Sequence, residues 1–197
     1  MVNAVGEYVR GRLFLLAGNL NAGDAKARLA QLRRGIGKSP GELPELWGIF
    51  LQTLPEELMG KGHNPSRAEW AIYTDLTLFA LHQQGHSDSV HLQGRENSLG
   101  CSARKLVHND DEEERIRFKL SVAAQSDDME ELAYRLKTLV RLFSVEDIPL
   151  DYVDLAKDLF LFQSEKYRDG IRLKWGQDFY RIVKTNENEK GEKNEEK

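Results

Sequence analysis

The chain has 197 residues, 40% of them apolar and 30% charged, enough to bury a core without disulfide or metal staples. Its formal net charge of −4 argues against a uniformly basic nucleic-acid-binding protein, although acidic runs at Asp110–Glu114 and in the C-terminal tail can hide local basic patches. The single cysteine, Cys101, leaves no internal disulfide and suits a reducing cytoplasm; with no signal pattern and no apolar run near ~20 residues, neither secretion nor a membrane span is expected.

In chain order, Val5, Tyr8, Val9, Leu13, Leu16 and Ala17 have helical spacing and predict a first helix over 3–18. Asp24 is a suitable N-cap for a second helix through Arg34, with Ala25, Leu29 and Leu32 as its inner face. Lys26, Arg28, Arg33, Arg34 and Lys38 fall in this helix and the turn after it, with no acid among them. Gly35, Gly37, Pro40 and Gly41 mark a loop. Pro44 suits the first turn of a helix carrying Leu46, Trp47, Phe50 and Leu51, which stops near Pro55. The strongest signal is Ser66–Gly85. Ser66 and Glu69 have capping-box spacing, Gly85 sits where a left-handed C-terminal cap is wanted, and the apolar residues between them cover most of the circumference. Such a helix is expected to be surrounded by others.

Residues 86–97 are polar and aperiodic and read as an exposed loop. Ser98 caps a short helix, SLGCSARKLV. The acids at 110–114 complement the dipole of the next helix, whose apolar positions are Ile116, Phe118, Leu120, Val122 and Ala123. A helix from Ser126–Asp127 to Phe143 turns Met129, Leu132, Leu136, Leu139, Val140 and Leu142 inward. Pro149 opens a helix with Leu150, Tyr152, Leu155, Leu159, Phe160 and Phe162, and 168–183 forms a last one. From Lys184 the composition has nothing to bury and predicts a disordered charged tail, 184–197. With no alternating strand pattern, the fold class is all-α: an irregular bundle of about eight or nine helices over 1–183. If it divides into two lobes, the boundary lies near 109–112.

Chemistry is sparse. His82 and His86 have the i, i+4 spacing of a zinc pair, but Gly85 ends the helix between them and no third ligand completes a tetrahedron. His108 with Asp110 and Asp111 faintly resembles a metal-phosphohydrolase pair without partner histidines in pattern. Cys101 has basic neighbours but no identifiable base. No phosphate-binding glycine motif is present. Neither a catalytic centre, a metal nor a cofactor is therefore expected. The basic residues say more. Arg33, Arg34 and Lys38 lie at a helix end and loop, Arg104 and Lys105 follow a Ser-Leu-Gly turn, and Arg117, Lys137 and Arg141 lie on helices that also bear apolar stripes. Together they are the candidate nucleic-acid-binding set, because Arg and Lys meet phosphate oxygens without reading sequence. The alternative is a helical protein–protein adaptor whose basic residues only solubilise it.

The ordered segments ARLAQLRRGIGKSPGELPELWGIFLQTLP, AIYTDLTLFALHQQG, SLGCSARKL, RIRFKLSVAAQSDDMEELAYRLKTLVRLF, IPLDYVDLAKDLF and IRLKWGQDFY together resemble the CasB family, the small subunit of the type I-E CRISPR Cascade complex. The resemblance spans about Ala27 to Tyr180. It implies an all-α, non-catalytic subunit in antiviral defence, present as a second copy of itself within the complex. It also implies contacts with guide RNA, target DNA and other Cascade subunits that stabilise the opened R-loop. In the family pattern a basic pair survives as Arg104 and Lys105, Arg-Phe is kept as Arg117 and Phe118, and a His-Leu-Arg stretch is Arg135, Leu136 and Lys137 here. Cys101 and Ser102 depart from the Arg-Ala that often follows Gly100, so one implied phosphate contact has no counterpart.

Overall fold

The computed structural model describes residues 1–18, 20 and 23–181, and among these it has nine α-helices and no strand. They are Val2–Ala17 (α1), Gly23–Arg33 (α2), Trp47–Phe50 (α3), Arg67–His82 (α4), Leu99–Lys105 (α5), Asp110–Ala124 (α6), Met129–Val145 (α7), Tyr152–Phe162 (α8) and Glu165–Phe179 (α9). The expected tail and the last two residues of the expected final helix, 182–183, lie outside the described residues.

Helix α4 is the axis of the bundle. Residues 71–80 are all buried, which on a 3.6-residue period means burial on every side. Its neighbours are α1, α2, α3, α7 and α8. Both halves of the capping box form: Ser66 Oγ accepts from Glu69 N–H at 3.0 Å, and Ser66 N–H donates to Glu69 Oε2 at 2.6 Å. The box also fastens the preceding loop, since Gly60 N–H donates to the same carboxylate and Ser66 O–H donates to Leu58 O. At the other end Gly85 takes φ +92°, the left-handed region glycine alone enters freely.

Around this axis α1 lies on α8, α8 on α9, α9 on α5, and α6 on α7. One continuous apolar cluster runs from Val5 to Phe179. The α5–α9 contact is close because Gly100 has no side chain: a Cβ there would run into the Trp175 carbonyl oxygen and come within 2.8 Å of Asp178 Cβ and Phe179 N.

Several expectations change. Asp24 is not an N-cap; it lies inside the first turn of α2 and pairs with Arg28 at 3.0 Å. The helix expected after Pro44 is a 3-10 turn, Pro44–Leu46, followed by the single turn of α3, and Trp47 faces outward at 49% exposure. Phe118 also faces outward, at 64%. It lies two residues from both Ile116 and Leu120, about 200° round the helix from each buried position. Leu150 lies before α8 rather than in it; Asp151 is the N-cap, accepting from Asp154 N–H at 3.0 Å.

Residues 86–97 form the expected loop, mostly exposed, but their backbone is tied down. His91 bridges Leu150 in parallel, with Leu150 N–H donating to Val90 O at 3.1 Å and Leu92 N–H to Leu150 O at 3.3 Å. Asp151 N–H donates to Asn97 O at 2.7 Å, and Gly94 N–H to Asp151 Oδ2 at 3.0 Å. Gln83 completes the clasp, accepting from Val90 N–H and donating to Asp88 O.

Candidate nucleic-acid interface

The α6–α7 hairpin offers the freest cations. Four residues, 125–128, connect two helices that pack on each other, so they run antiparallel. Arg117 lies seven residues before Ala124 and Lys137 eight after Met129, so both sit about 10–12 Å from the turn. Arg141 is one turn further along α7. Arg117 and Arg141 are exposed and Lys137 is half-buried; none is within 4.0 Å of a described carboxylate. Phe118 and Tyr134, 64% and 62% exposed, lie at a similar height. Cations and aromatic rings thus occupy the same stretch of the hairpin's length. Phosphate pairing uses the first and base stacking the second. The apolar pattern of α6 counts Phe118 with the core; its offset of two from the buried Ile116 and Leu120 is the signal that it faces outward.

The remaining candidates are more engaged. Arg33 donates to Ala80 O at 3.3 Å, satisfying a carbonyl near the end of α4, and with Lys26 lines a groove of about 410 Å³ against Gln83, Gln84 and His86. Arg34 pairs with Glu45 at 3.6 Å. Lys38 is exposed, just past Gly37, whose φ of +75° turns the chain, and no described carboxylate pairs with it. Arg104 is held by Glu113 at 2.5 Å and lies 5.7 Å over the Phe179 ring. Lys105 donates to Asn97 Oδ1 at 2.9 Å, and partial burial pushes its ammonium pKa down. Lys38, Arg117, Lys137 and Arg141 therefore present charge that no described acid neutralises, while Arg34 and Arg104 do not.

The other candidates resolve into packing. Cys101 is buried and its thiol donates to Asp178 O at 3.4 Å, so this position faces α9 rather than solvent. His82 is buried, with Nδ1 3.0 Å from Tyr152 Oη. Burial, reinforced by His86, lowers its pKa to about 4, so it is neutral. His86 Nε2 meets Ser144 Oγ at 3.0 Å and His108 meets Glu146 at 2.9 Å. Among the described residues no group of three His, Cys, Asp or Glu could hold a metal, and no helix is long and apolar enough to cross a membrane.

The segments LHQQG, IPLDY and WGQDFY prove to be joints. His82 meets Tyr152, Gln83 clasps 88–90, and Leu150 and Asp151 hold 90–97. Trp175 donates to Asp158 Oδ2 at 2.7 Å, and Asp178 accepts from the Ser98 hydroxyl at 2.9 Å.

A sequence model of the family described as CRISPR-associated protein Cse2 matches residues 28–180. The fold is similar to the crystal structure of CasB from Thermobifida fusca, with a TM-score of 0.77 and 31% identity over 90% of this chain and 98% of that one. It is also similar to CasB from M. ruber, with a TM-score of 0.63 and 23% identity over 86% of this chain and 92% of the other, a likeness of fold. No curated protein matches the chain.

Proposed function

The chain belongs to the Cse2 family of CRISPR-associated proteins, and from that premise we propose that it serves as a non-catalytic small subunit of a type I-E Cascade complex. In this role it grips nucleic-acid backbone through the α6–α7 band in the cytoplasm. Guide pairing supplies sequence specificity, and the subunit supplies sequence-independent phosphate contacts to guide RNA and target DNA. It does so beside the other subunits and a second copy of itself, and thereby stabilises the opened duplex. One observation carries the reading: Arg117, Lys137 and Arg141 lie on one hairpin, and no described carboxylate is within 4.0 Å of any of them. A net charge of −4 does not oppose this, because phosphates respond to the local field.

The test is binding of the purified chain to single- and double-stranded DNA and to RNA across a salt series. It compares wild type with the triple reversal Arg117→Glu, Lys137→Glu, Arg141→Glu. The expected result is affinity that falls steeply with salt in wild type and is largely lost in the variant. Equal affinity and equal salt dependence in both would turn the reading to the protein-binding adaptor.

A further inference from the structure

Two large aromatic side chains on the α6–α7 hairpin are left over from packing. Phe118 is 64% exposed and Tyr134 62%. Tyr134 repeats the placement of Phe118: it lies two residues from both Leu132 and Leu136, about 200° round α7 from each buried position. Each ring therefore stands on the side of its helix opposite the buried stripe. The ring–ring and cation–π contacts among the described residues all involve other rings. A large apolar side chain at the surface is ordinary by itself; the neighbouring charge singles out these two. Arg117 adjoins Phe118, and Lys137 follows Tyr134 by one turn, about 4.5 Å of helix rise. Neither cation has a described carboxylate within 4.0 Å. Phe14 and Trp47 are exposed too, but Arg10, one turn before Phe14, pairs with Glu7 at 2.7 Å, and Glu45, two residues before Trp47, pairs with Arg34 at 3.6 Å. The hairpin faces are not purely basic. Glu114 and Glu130, one turn before Phe118 and Tyr134, are exposed and lower the field that a phosphate meets.

We propose that Phe118 and Tyr134 are base-stacking residues that make the hairpin favour single-stranded nucleic acid over duplex. The inference rests on the reading of the hairpin as a phosphate contact and names the form of strand it takes. In a duplex the base faces lie against one another, and only base edges and backbone reach the surface, so a ring on the outside of a protein gains nothing from them. An unpaired base offers its face, and stacking on an aromatic ring tolerates any sequence because every base has a π-face. The cation within a turn of each ring then meets a phosphate of the same strand, which carries no sequence information either. Stacking does not depend on net charge, so it supplies affinity that Glu114 and Glu130 do not oppose.

The test is fluorescence anisotropy of the purified full chain with three labelled probes of equal length: a mixed-sequence DNA single strand, the same strand as a duplex, and an abasic strand that keeps the phosphates but has no bases. Wild type is expected to bind the single strand more tightly than the other two. Phe118→Leu with Tyr134→Leu keeps apolar bulk but removes both rings. It should weaken binding of the single strand roughly tenfold, leave the abasic strand and the duplex unchanged, and keep the salt slope of wild type. Phe118→Tyr with Tyr134→Phe keeps both rings and should bind as wild type does. If the leucine pair fails to fold, the single substitutions Phe118→Leu and Tyr134→Leu decide, each with a smaller loss confined to the single strand. Unchanged affinity of the leucine variant for the single strand, an equal loss for the abasic strand, or wild-type binding of duplex as tight as that of the single strand overturns the proposal and leaves the phosphate contact standing. Absence of wild-type binding to every probe, or full affinity after the triple charge reversal, overturns the phosphate contact itself and this inference with it.

Discussion

Asp75 sits mid-way along α4 with no exposed surface, and neither carboxylate oxygen has a hydrogen-bond partner among the described residues. Burial first, then the charge of Asp151, drives its pKa well above the usual carboxylate range. The folded chain therefore keeps a proton that the unfolded chain releases. Stability from Asp75 is complete below the unfolded pKa of about 3.9 and is lost as pH rises toward the folded value. His82 acts in the opposite direction. Its folded pKa of about 4 lies below the usual histidine value of 6.5, so its contribution is present above 6.5 and is lost as pH falls toward 4. Asp75→Asn should abolish the alkaline-side decline and leave the acid-side one. Thermal midpoints of both proteins across a pH series from acid to alkaline check this. Parallel curves would mean that Asp75 is ionised in the fold.

At the scale of elements, two joints make distinct predictions. Ser66→Ala removes the acceptor for Glu69 N–H and the donor to Leu58 O, and should cost about 1–2 kcal/mol in chemical denaturation. Gly100→Ala adds one methyl where α5 meets the α9 backbone, which cannot rotate away as a side chain could. That overpacking should cost about 1–3 kcal/mol, although alanine is the better helix former by roughly 1 kcal/mol. A Gly100→Ala protein as stable as wild type would mean that α9 shifts freely. The helices themselves were legible because caps and apolar periods are local signals. Ser66 with Glu69, and Ser98 as the cap of α5, each act across three residues, whereas α7 starts later than the expected Ser126–Asp127, with Asp128 as its cap. The 86–97 segment was not legible, because its backbone partners lie about Leu150, 59 residues from His91. Polar aperiodic sequence looks the same whether water or distant backbone satisfies it.

Over the whole molecule, charge is divided along one hairpin: Arg117, Lys137 and Arg141 lie along α6 and α7, and Asp127, Asp128 and Glu130 lie at its turn. Each cation that meets a phosphate of a single strand contributes about 0.7 to the slope of log affinity on log salt. The triple reversal should therefore flatten that slope by roughly 2, while leaving the thermal midpoint nearly unchanged because Arg117 and Arg141 are exposed and Lys137 is only half-buried. A midpoint lowered as far as the affinity would assign these residues to stability instead. The sequence by itself determined the all-α class, the central place of α4 and the inventory of basic side chains, because composition, period and capping are carried by neighbours along the chain. Only the tertiary structure decided which cations remain free. Arg104 and Arg117 both sit among basic neighbours in sequence, yet Arg104 meets Glu113 across a helix junction while Arg117 meets no described acid. It also decided which aromatics are surface: Trp47 and Phe118 carry the same apolar signal as Trp175 and Phe79, and burial depends on which element arrives opposite. Charge and hydrophobicity belong to the residue, but neutralisation and burial belong to the pair, and the second member of the pair is fixed only when the chain folds.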